Sequence, residues 1–177
     1  MSFLLHIERL ILCPLRRDDA PVLAAYRNDP AVARYQGWTL PYTAQDAEEL
    51  IAEMAGRVPG DPGWVQIGLE HWDTCALIGD VALNTSERQA ELGVTLCAAA
   101  QGQGYAQEGL RALVAHAFGP LNLQQLHAEI DPHNVAVTRV PLALGFRHLS
   151  TTYGTYQNRG EWTDNAVYTL RREEKLN

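Results

Sequence analysis

A mixed α/β (α+β) sheet domain is what the order of periodic segments in this 177-residue chain predicts. Three observations carry that prediction. Apolar residues alternate with period two over several short segments, and over four other segments they recur at helical spacing. In addition, one alternating segment, 91–96, runs through a glycine-containing loop into a helix and is followed by another strand at 125–130. A strand-helix-strand crossover of this kind brings the second strand back parallel. The expected architecture is a mostly antiparallel, seven-stranded sheet with one parallel central pair and about four helices, folded as a single domain over residues 1–177.

Taken in order, the first strand is expected over 6–15, and Asp18-Asp19 then start a helix that carries Val22, Leu23 and Tyr26. Asn28-Asp29-Pro30 breaks it. After a connection rich in aromatics (Tyr35, Trp38, Tyr42), Thr43-Ala44-Gln45-Asp46 reads as a helix N-terminal box, with Ala47, Leu50, Ile51 and Met54 on one stripe behind it. Residues 56–63, with two prolines, form a loop. Val65, Ile67 and Leu69 alternate with polar or small neighbours, a turn follows near Asp73, and 76–83 continues the sheet. With 91–96 these strands make an antiparallel meander. Along 91–96, Leu92, Val94 and Leu96 share one face and Glu91, Gly93 and Thr95 the other. The helix after the loop places Leu110, Leu113, Val114, Ala117, Phe118 and Leu121 on one stripe and stops at Gly119-Pro120. A short helix from about Val135 ends near Leu144-Gly145, and two strands, 146–156 and 162–170, complete the chain. No repeat, low-complexity tract or linker interrupts it.

Composition excludes several functions. A net charge of −7 argues against general nucleic-acid binding, which needs a basic surface, and is compatible with an amine-bearing partner. No apolar run is long enough to span a membrane, and charge enters the first twelve residues too early for a signal peptide, so a cytoplasmic protein is expected. Cys13, Cys75 and Cys97 read as reduced thiols, Cys97 as core filler that ends a strand near the loop. The histidines lack metal-ligand spacing, so no metal is expected.

The loop Gln101-Gly102-Gln103-Gly104-Tyr105-Ala106-Gln107 is the most informative stretch. A helix start fed by glycines exposes unpaired N–H groups at the positive end of a dipole and suits a phosphate or pyrophosphate. It is also compatible with a tight turn that binds nothing. A dinucleotide fingerprint fails, because Gln107 stands where a third small residue belongs, and a Walker loop fails for want of Gly-Lys-Ser/Thr.

Gln101-x-x-Gly104-x-Ala106 after an alternating strand resembles the acetyl-CoA pyrophosphate loop of the GNAT N-acetyltransferase superfamily. Glu8-Arg9-Leu10-Ile11-Leu12 with Pro14-Leu15-Arg16, Asp131-Pro132-His133-Asn134-Val135-Ala136, Leu144-Gly145-Phe146, and Gly160-Glu161-Trp162-Thr163-Asp164 with Tyr168 are similar to the ribosomal-protein alanine/serine branch. The resemblance implies a splayed parallel pair in which Val94-Thr95-Leu96 receives the pantetheine arm. It also implies amides from Gly102 through Gln107 around the pyrophosphate and a hydrogen bond from Asn134 to the pantetheine region. By period two and helix-start chemistry alone, these are a sheet strand, a turn and a helix cap.

Acetyl transfer from a thioester to an amine needs a base, because the amine is mostly protonated at neutral pH, and a donor for the oxyanion. Glu129 is the first candidate base, by its face and by the family's spacing of five residues before Asn134; Glu91, on one face with Thr95, is the second. Each equally reads as an exposed strand carboxylate. Where family members place a general-acid tyrosine or a serine, this chain has Pro141 and Val137. Pro141 should also kink its helix. Tyr153, Tyr156 or Tyr168 could substitute, or the leaving thiolate goes unassisted. The resemblance places the amine acceptor, a peptide N-terminus or a small molecule, against Tyr35, Trp38, Tyr42 and the last strand pair. The departures also admit a catalytically impaired acyl-CoA-binding module, and edge strands near the C-terminus admit a homodimer.

Overall fold

The computed structural model describes residues 3–175, apart from the side chains of Tyr156 and Lys175. Its first departure from expectation comes at once. Residues 6–15 do not form one strand. β1 (Leu5–His6) and β2 (Leu10–Cys13) make a hairpin in which Leu5 pairs with Leu12 and His6 with Ile11. The reversal is closed by the Ile7 N–H on the Leu10 carbonyl at 3.0 Å. Glu8-Arg9 supplies the polar turn, and the Arg9 N–H goes to the Glu108 carboxylate instead of a ladder. Splitting this strand gives the described residues eight strands.

The helices follow their sequence signals. α1 (Ala20–Asn28) ends before Pro30, and α2 (Pro30–Ala33) begins there with Asp29 accepting from the Ala31 N–H. α3 (Ala44–Met54) starts on the expected box: Thr43 Oγ1 accepts from the Asp46 N–H at 3.1 Å and Asp46 accepts from the Thr43 N–H at 2.6 Å. Then come β3 (Gly63–His71), β4 (Leu77–Ser86) and β5 (Gln89–Leu96), the antiparallel meander. α4 (Tyr105–Phe118) crosses over to β6 (Gln125–Ile130), and α5 (Val135–Ala143) leads to β7 (Arg147–Asn158), β8 (Glu161–Arg171) and the terminal turn α6 (Arg172–Lys175). The sheet order is β1-β2-β3-β4-β5-β6-β8-β7, with β5-β6 the parallel pair.

Each face of the sheet buries its own cluster. On one, Leu113 and Val114 of α4 pack with Leu10, Leu12, Leu69, Val81, Leu83, Leu126 and Leu170. Gly109 permits this close approach, since a Cβ there would stand 3.0 Å from the Leu69 side chain. On the other, Leu23, Tyr26, Ala47 and Ile51 of α1 and α3 form the second cluster.

A charged pair is set into that second layer. Arg27 and Asp80 are 6% and 3% exposed, and Arg27 Nη2 lies 3.6 Å from Asp80 Oδ2. Tyr26 donates its O–H to the same oxygen at 2.5 Å; burial, then Asp80, pushes the Tyr26 phenol well above its ordinary pKa, so it stays a donor. The Arg27 guanidinium also sits 4.6 Å from the Trp38 ring and 5.0 Å from Tyr42. Asp80→Ala strands a buried guanidinium whose Nε already lacks a partner. It is expected to lower stability by about 3 kcal/mol, with much of the loss restored by Arg27→Met beside Asp80→Leu. Urea titration measures both; a single-mutant loss of less than about 1 kcal/mol would contradict the pair's burial.

Candidate active site

The parallel pair does not run its full length. β5 and β6 pair at Gln89/Gln125, Ala90/Leu126 and Glu91/His127 and then part. Beyond that point, among the described residues, β5 is held only by β4, as far as Leu96, and β6 only by β8, as far as Ile130. The sheet therefore contains two inward-facing strand edges whose N–H and C=O groups seek partners, which is how an extended amide-bearing chain can be taken into a sheet.

A cleft of about 480 Å³ opens at this parting and is lined from both faces of the sheet. Leu92 and Val94 of β5, Leu110 of α4 and the α5 residues Val137, Val140 and Pro141 form an apolar side. Glu91, Gly93 and Glu129, with Tyr35, Gln36, Gly37 and Trp64, form the other. Because successive strand residues face opposite ways, this lining describes a passage through the sheet, apolar at one mouth and acidic at the other.

The glycine loop lies off the end of β5. Gly102 (φ 74°) and Gly104 (φ 83°) take the left-handed conformation, and Gly104 caps α4 with no side chain over the helix end. Among the described residues nothing accepts from the amides of residues 102–107, while the Glu108 N–H bonds the Gly104 carbonyl at 3.0 Å. The two glutamines turn away: Gln101 donates to the Leu96 carbonyl at 3.2 Å and Gln103 to the Ala99 carbonyl at 2.7 Å. Behind the loop stands Arg9, whose Nε donates to Glu108 Oε2 at 2.7 Å and Nη1 to the Gln103 carbonyl at 3.1 Å, its guanidinium 4.4 Å from the Tyr105 ring. Arg9 thus fixes the loop to the first turn of α4. Nothing local in the sequence links residues 9 and 108.

Both candidate carboxylates line the cleft. Burial, and then the charge of Glu129, raises the Glu91 pKa above its ordinary value. Glu129 accepts from Asn165 Nδ2 at 2.8 Å. His127 approaches Glu91 at 3.9 Å, and burial lowers its pKa, so it is neutral at neutral pH. Asn134 lines the cleft at the start of α5 and makes no side-chain cap there. Val94 reaches the cleft, whereas Thr95 and Leu96 are 7% and 8% exposed and do not line it. The loop residues 101–107 sit outside the lining as well, so the expected set divides between the passage and the helix start beyond it. Leu92, Gly93 and Trp64 join the passage unanticipated; a Cβ on Gly93 would meet the Trp64 ring at 3.5 Å, a contact between strands that residue spacing does not reveal.

Proton donors for a leaving group are scarce here. Val137 and Pro141 both line the apolar wall, and the missing Pro141 N–H leaves the Val137 carbonyl without its helical donor. Tyr168 is buried with its ring 5.4 Å from His148, and Tyr153 is exposed; neither lines the cleft. The Tyr156 side chain lies outside the described residues. Of the aromatic connection, Tyr35 lines the cleft and donates to the His133 carbonyl at 3.2 Å, while Trp38 and Tyr42 are drawn instead onto Arg27. Cys97 packs against both apolar clusters. Arg159, at the β7–β8 turn, donates to the carbonyls of Ala33 (2.7 Å), Gln36 (3.1 Å) and Trp38 (3.0 Å), which ties the hairpin tip to the segment carrying Tyr35.

Comparison with known proteins converges on one family. Residues 9–147 match the family model described as an acetyltransferase (GNAT) domain. The uncharacterized N-acetyltransferase p20 of Bacillus licheniformis is 27% identical over 177 residues, spanning 96% of this chain and 97% of that one. A GNAT-family acetyltransferase of Bacillus anthracis superposes with a TM-score of 0.85 at 20% identity, over 97% of this chain and 99% of that one. A ribosomal-protein alanine acetyltransferase of Vibrio fischeri superposes at 0.83 with 19% identity, over 98% and 97%. At such identities the structural likeness concerns the fold.

Proposed function

We propose, from the premise that the chain belongs to the GNAT acetyltransferase family, that it acts as one cytoplasmic domain moving an acetyl group from acetyl-CoA to a primary amine by direct attack. The observation that carries this reading is the parting of β5 and β6 with Glu91 at its apex.

In this reading the free edge around Val94-Thr95-Leu96 takes the pantetheine arm, Asn134 bonds it across the gap, and the amides of Gly102 through Gln107 hold the pyrophosphate. The acetyl thioester then lies in the passage, with the amine arriving from the acidic mouth. Glu91 takes the proton from the ammonium, its pKa kept high by burial and by Glu129, which brings the base nearer to working pH. The freed amine attacks the carbonyl carbon, a β5 backbone N–H donates to the oxyanion, and as the C–S bond breaks the attacking nitrogen gives up its second proton to the leaving thiolate or to water. The one α5 hydroxyl, Thr138, bonds the Val135 carbonyl and does not line the cleft, so the thiolate leaves as such or takes a proton from the attacking nitrogen or water; a thiol pKa near ~8.5 makes this a modest burden.

The same lack of an acid supports a second reading, an acyl-CoA-binding module without turnover. Free-thiol release from acetyl-CoA, followed with a set of N-terminal peptides and small amines, separates the two. Amine-dependent release is the expected result. Tight acetyl-CoA binding with no release above blank for any amine would leave only the binding module.

A further inference from the structure

The acidic mouth of the cleft, whose four carboxylates are those of Glu91, Glu129, Asp131 and Asp164, takes part of its wall from two elements far apart in the chain. One is the segment Tyr35-Gln36-Gly37, and the other is the β7–β8 hairpin, with Asn158 and Asn165 among its lining residues. Gln36 and Gly37 belong to no helix or strand, so their place depends on partners outside the segment. Two such partners stand at its ends: Tyr35 donates to the His133 carbonyl at 3.2 Å, and Trp38 Nε1 to the Arg27 carbonyl at 2.9 Å. The third comes from the hairpin.

Arg159 joins these two elements. Nη1 donates to the Ala33 carbonyl at 2.7 Å, and Nη2 to those of Gln36 at 3.1 Å and Trp38 at 3.0 Å, so the bonded carbonyls bracket the lining residues of the segment. The turn carries Arg159 against its local preference. Asn158 pairs with Glu161, which leaves Arg159 (φ 48°) and Gly160 (φ 84°) as a two-residue connection with both residues left-handed. Gly160 suits that conformation; at the first position Asn is the usual residue, and a long side chain is uncommon. What Arg adds there is the three charge-assisted bonds. The guanidinium itself does not line the cleft, so it acts on a bound molecule only through the residues it holds.

We infer, building on the acetyl-transfer reading, that Arg159 is a positioning residue for the acceptor: by fixing Tyr35-Gln36-Gly37 to the β7–β8 hairpin it holds the wall along which the amine reaches Glu91 and Glu129. Asn165, on β8 of the same hairpin, donates to Glu129 at 2.8 Å, so the fastened wall and the carboxylates share one frame. Acetyl-CoA, taken by the β5 edge and the loop after it, draws on none of these contacts. Loss of Arg159 therefore reaches the acceptor and spares the cofactor.

The test compares Arg159→Asn and Arg159→Lys with the wild type by thiol release from acetyl-CoA, with the N-terminal peptide or small amine that releases thiol fastest as acceptor. Asn suits the left-handed position, so Arg159→Asn should keep or raise the urea midpoint. Its acceptor KM should rise about tenfold, with kcat held within about twofold and acetyl-CoA affinity by calorimetry unchanged. Arg159→Lys, whose ammonium lacks the planar fork, should recover only part of the loss. An unchanged acceptor KM in Arg159→Asn, full recovery in Arg159→Lys, an equal loss of acetyl-CoA affinity or a lowered urea midpoint would each overturn the inference while leaving acetyl transfer standing. No release with any amine, with acetyl-CoA still binding, would overturn the acetyl-transfer reading and the inference with it.

Discussion

Gly104→Val is expected to abolish acetyl-CoA binding while leaving the protein folded. Gly104 caps α4 at φ 83°, a conformation that a β-branched residue adopts only under strain of about 1–3 kcal/mol. Room for the side chain exists on the protein's side, because the nearest atom to a Cβ there is Arg9 Nη2 at an ordinary 3.5 Å. The branched side chain would therefore be tolerated by its neighbours and would project where the proposed cradle needs backbone within hydrogen-bond reach of phosphate. An affinity loss of roughly 10³-fold or more follows if several of the amides at 102–107 act together. Gly56→Val is the matched control. Its φ is 79° and nothing lies within 4 Å of a Cβ, so it carries the same backbone strain at a turn after α3, far along the chain from the cradle. Calorimetric titration with acetyl-CoA should find binding in Gly56→Val and none in Gly104→Val; wild-type affinity in the latter would remove the loop from the site.

What could be read from the sequence was whatever has a local cause. The Thr43/Asp46 box, the bounds of β6 at Gln125 and Ile130, and the alternation along β5 all depend on residues within a few positions of one another, and the structure reproduces them. The parallel return of β6 followed from the strand-helix-strand connection, with no residue contact needed. What escaped was non-local. The hairpin at Ile7–Arg9 forms because the Arg9 N–H has a better partner in Glu108 than in a strand, and an alternating apolar pattern through Leu10 and Leu12 does not register that choice. Likewise the aromatic connection looked uniform, yet Arg27, buried from α1, takes Trp38 and Tyr42 for its own packing and leaves only Tyr35 to the cleft. Trp64 entered the site through the absence of a side chain at Gly93 on a strand two positions away in the sheet. The acidic mouth was foreshadowed only by the overall charge; its four carboxylates come from β5, β6, the turn after β6, and β8.

Replacing both Glu91 and Glu129 by glutamine is expected to lower kcat/KM at neutral pH by about 10³-fold, within the range a positioned base supplies. The double variant matters because either carboxylate can partly stand in for the other across the gap. The single variants should differ. Glu91→Gln removes the group whose pKa is raised, so the wild-type rise in rate through that pKa should disappear, leaving a profile that climbs only as the free amine itself accumulates. Glu129→Gln keeps the base but removes the charge that helps hold its pKa up, so the same rise should persist and move to lower pH. Misfolding is not a competing explanation for a slow Glu91→Gln. A carboxyl whose pKa is raised on folding contributes stability below its unfolded value and loses it as pH rises through the folded one. Above that folded value the wild type has lost the contribution, and there the neutral amide, which avoids burying a charge beside Glu129, should be at least as stable in urea titration. A Glu91→Gln enzyme with an unchanged pH-rate profile would take Glu91 out of the base role. A Glu129→Gln profile that lost its rise instead would give that role to Glu129, whose Asn165 bond at 2.8 Å would then orient the base.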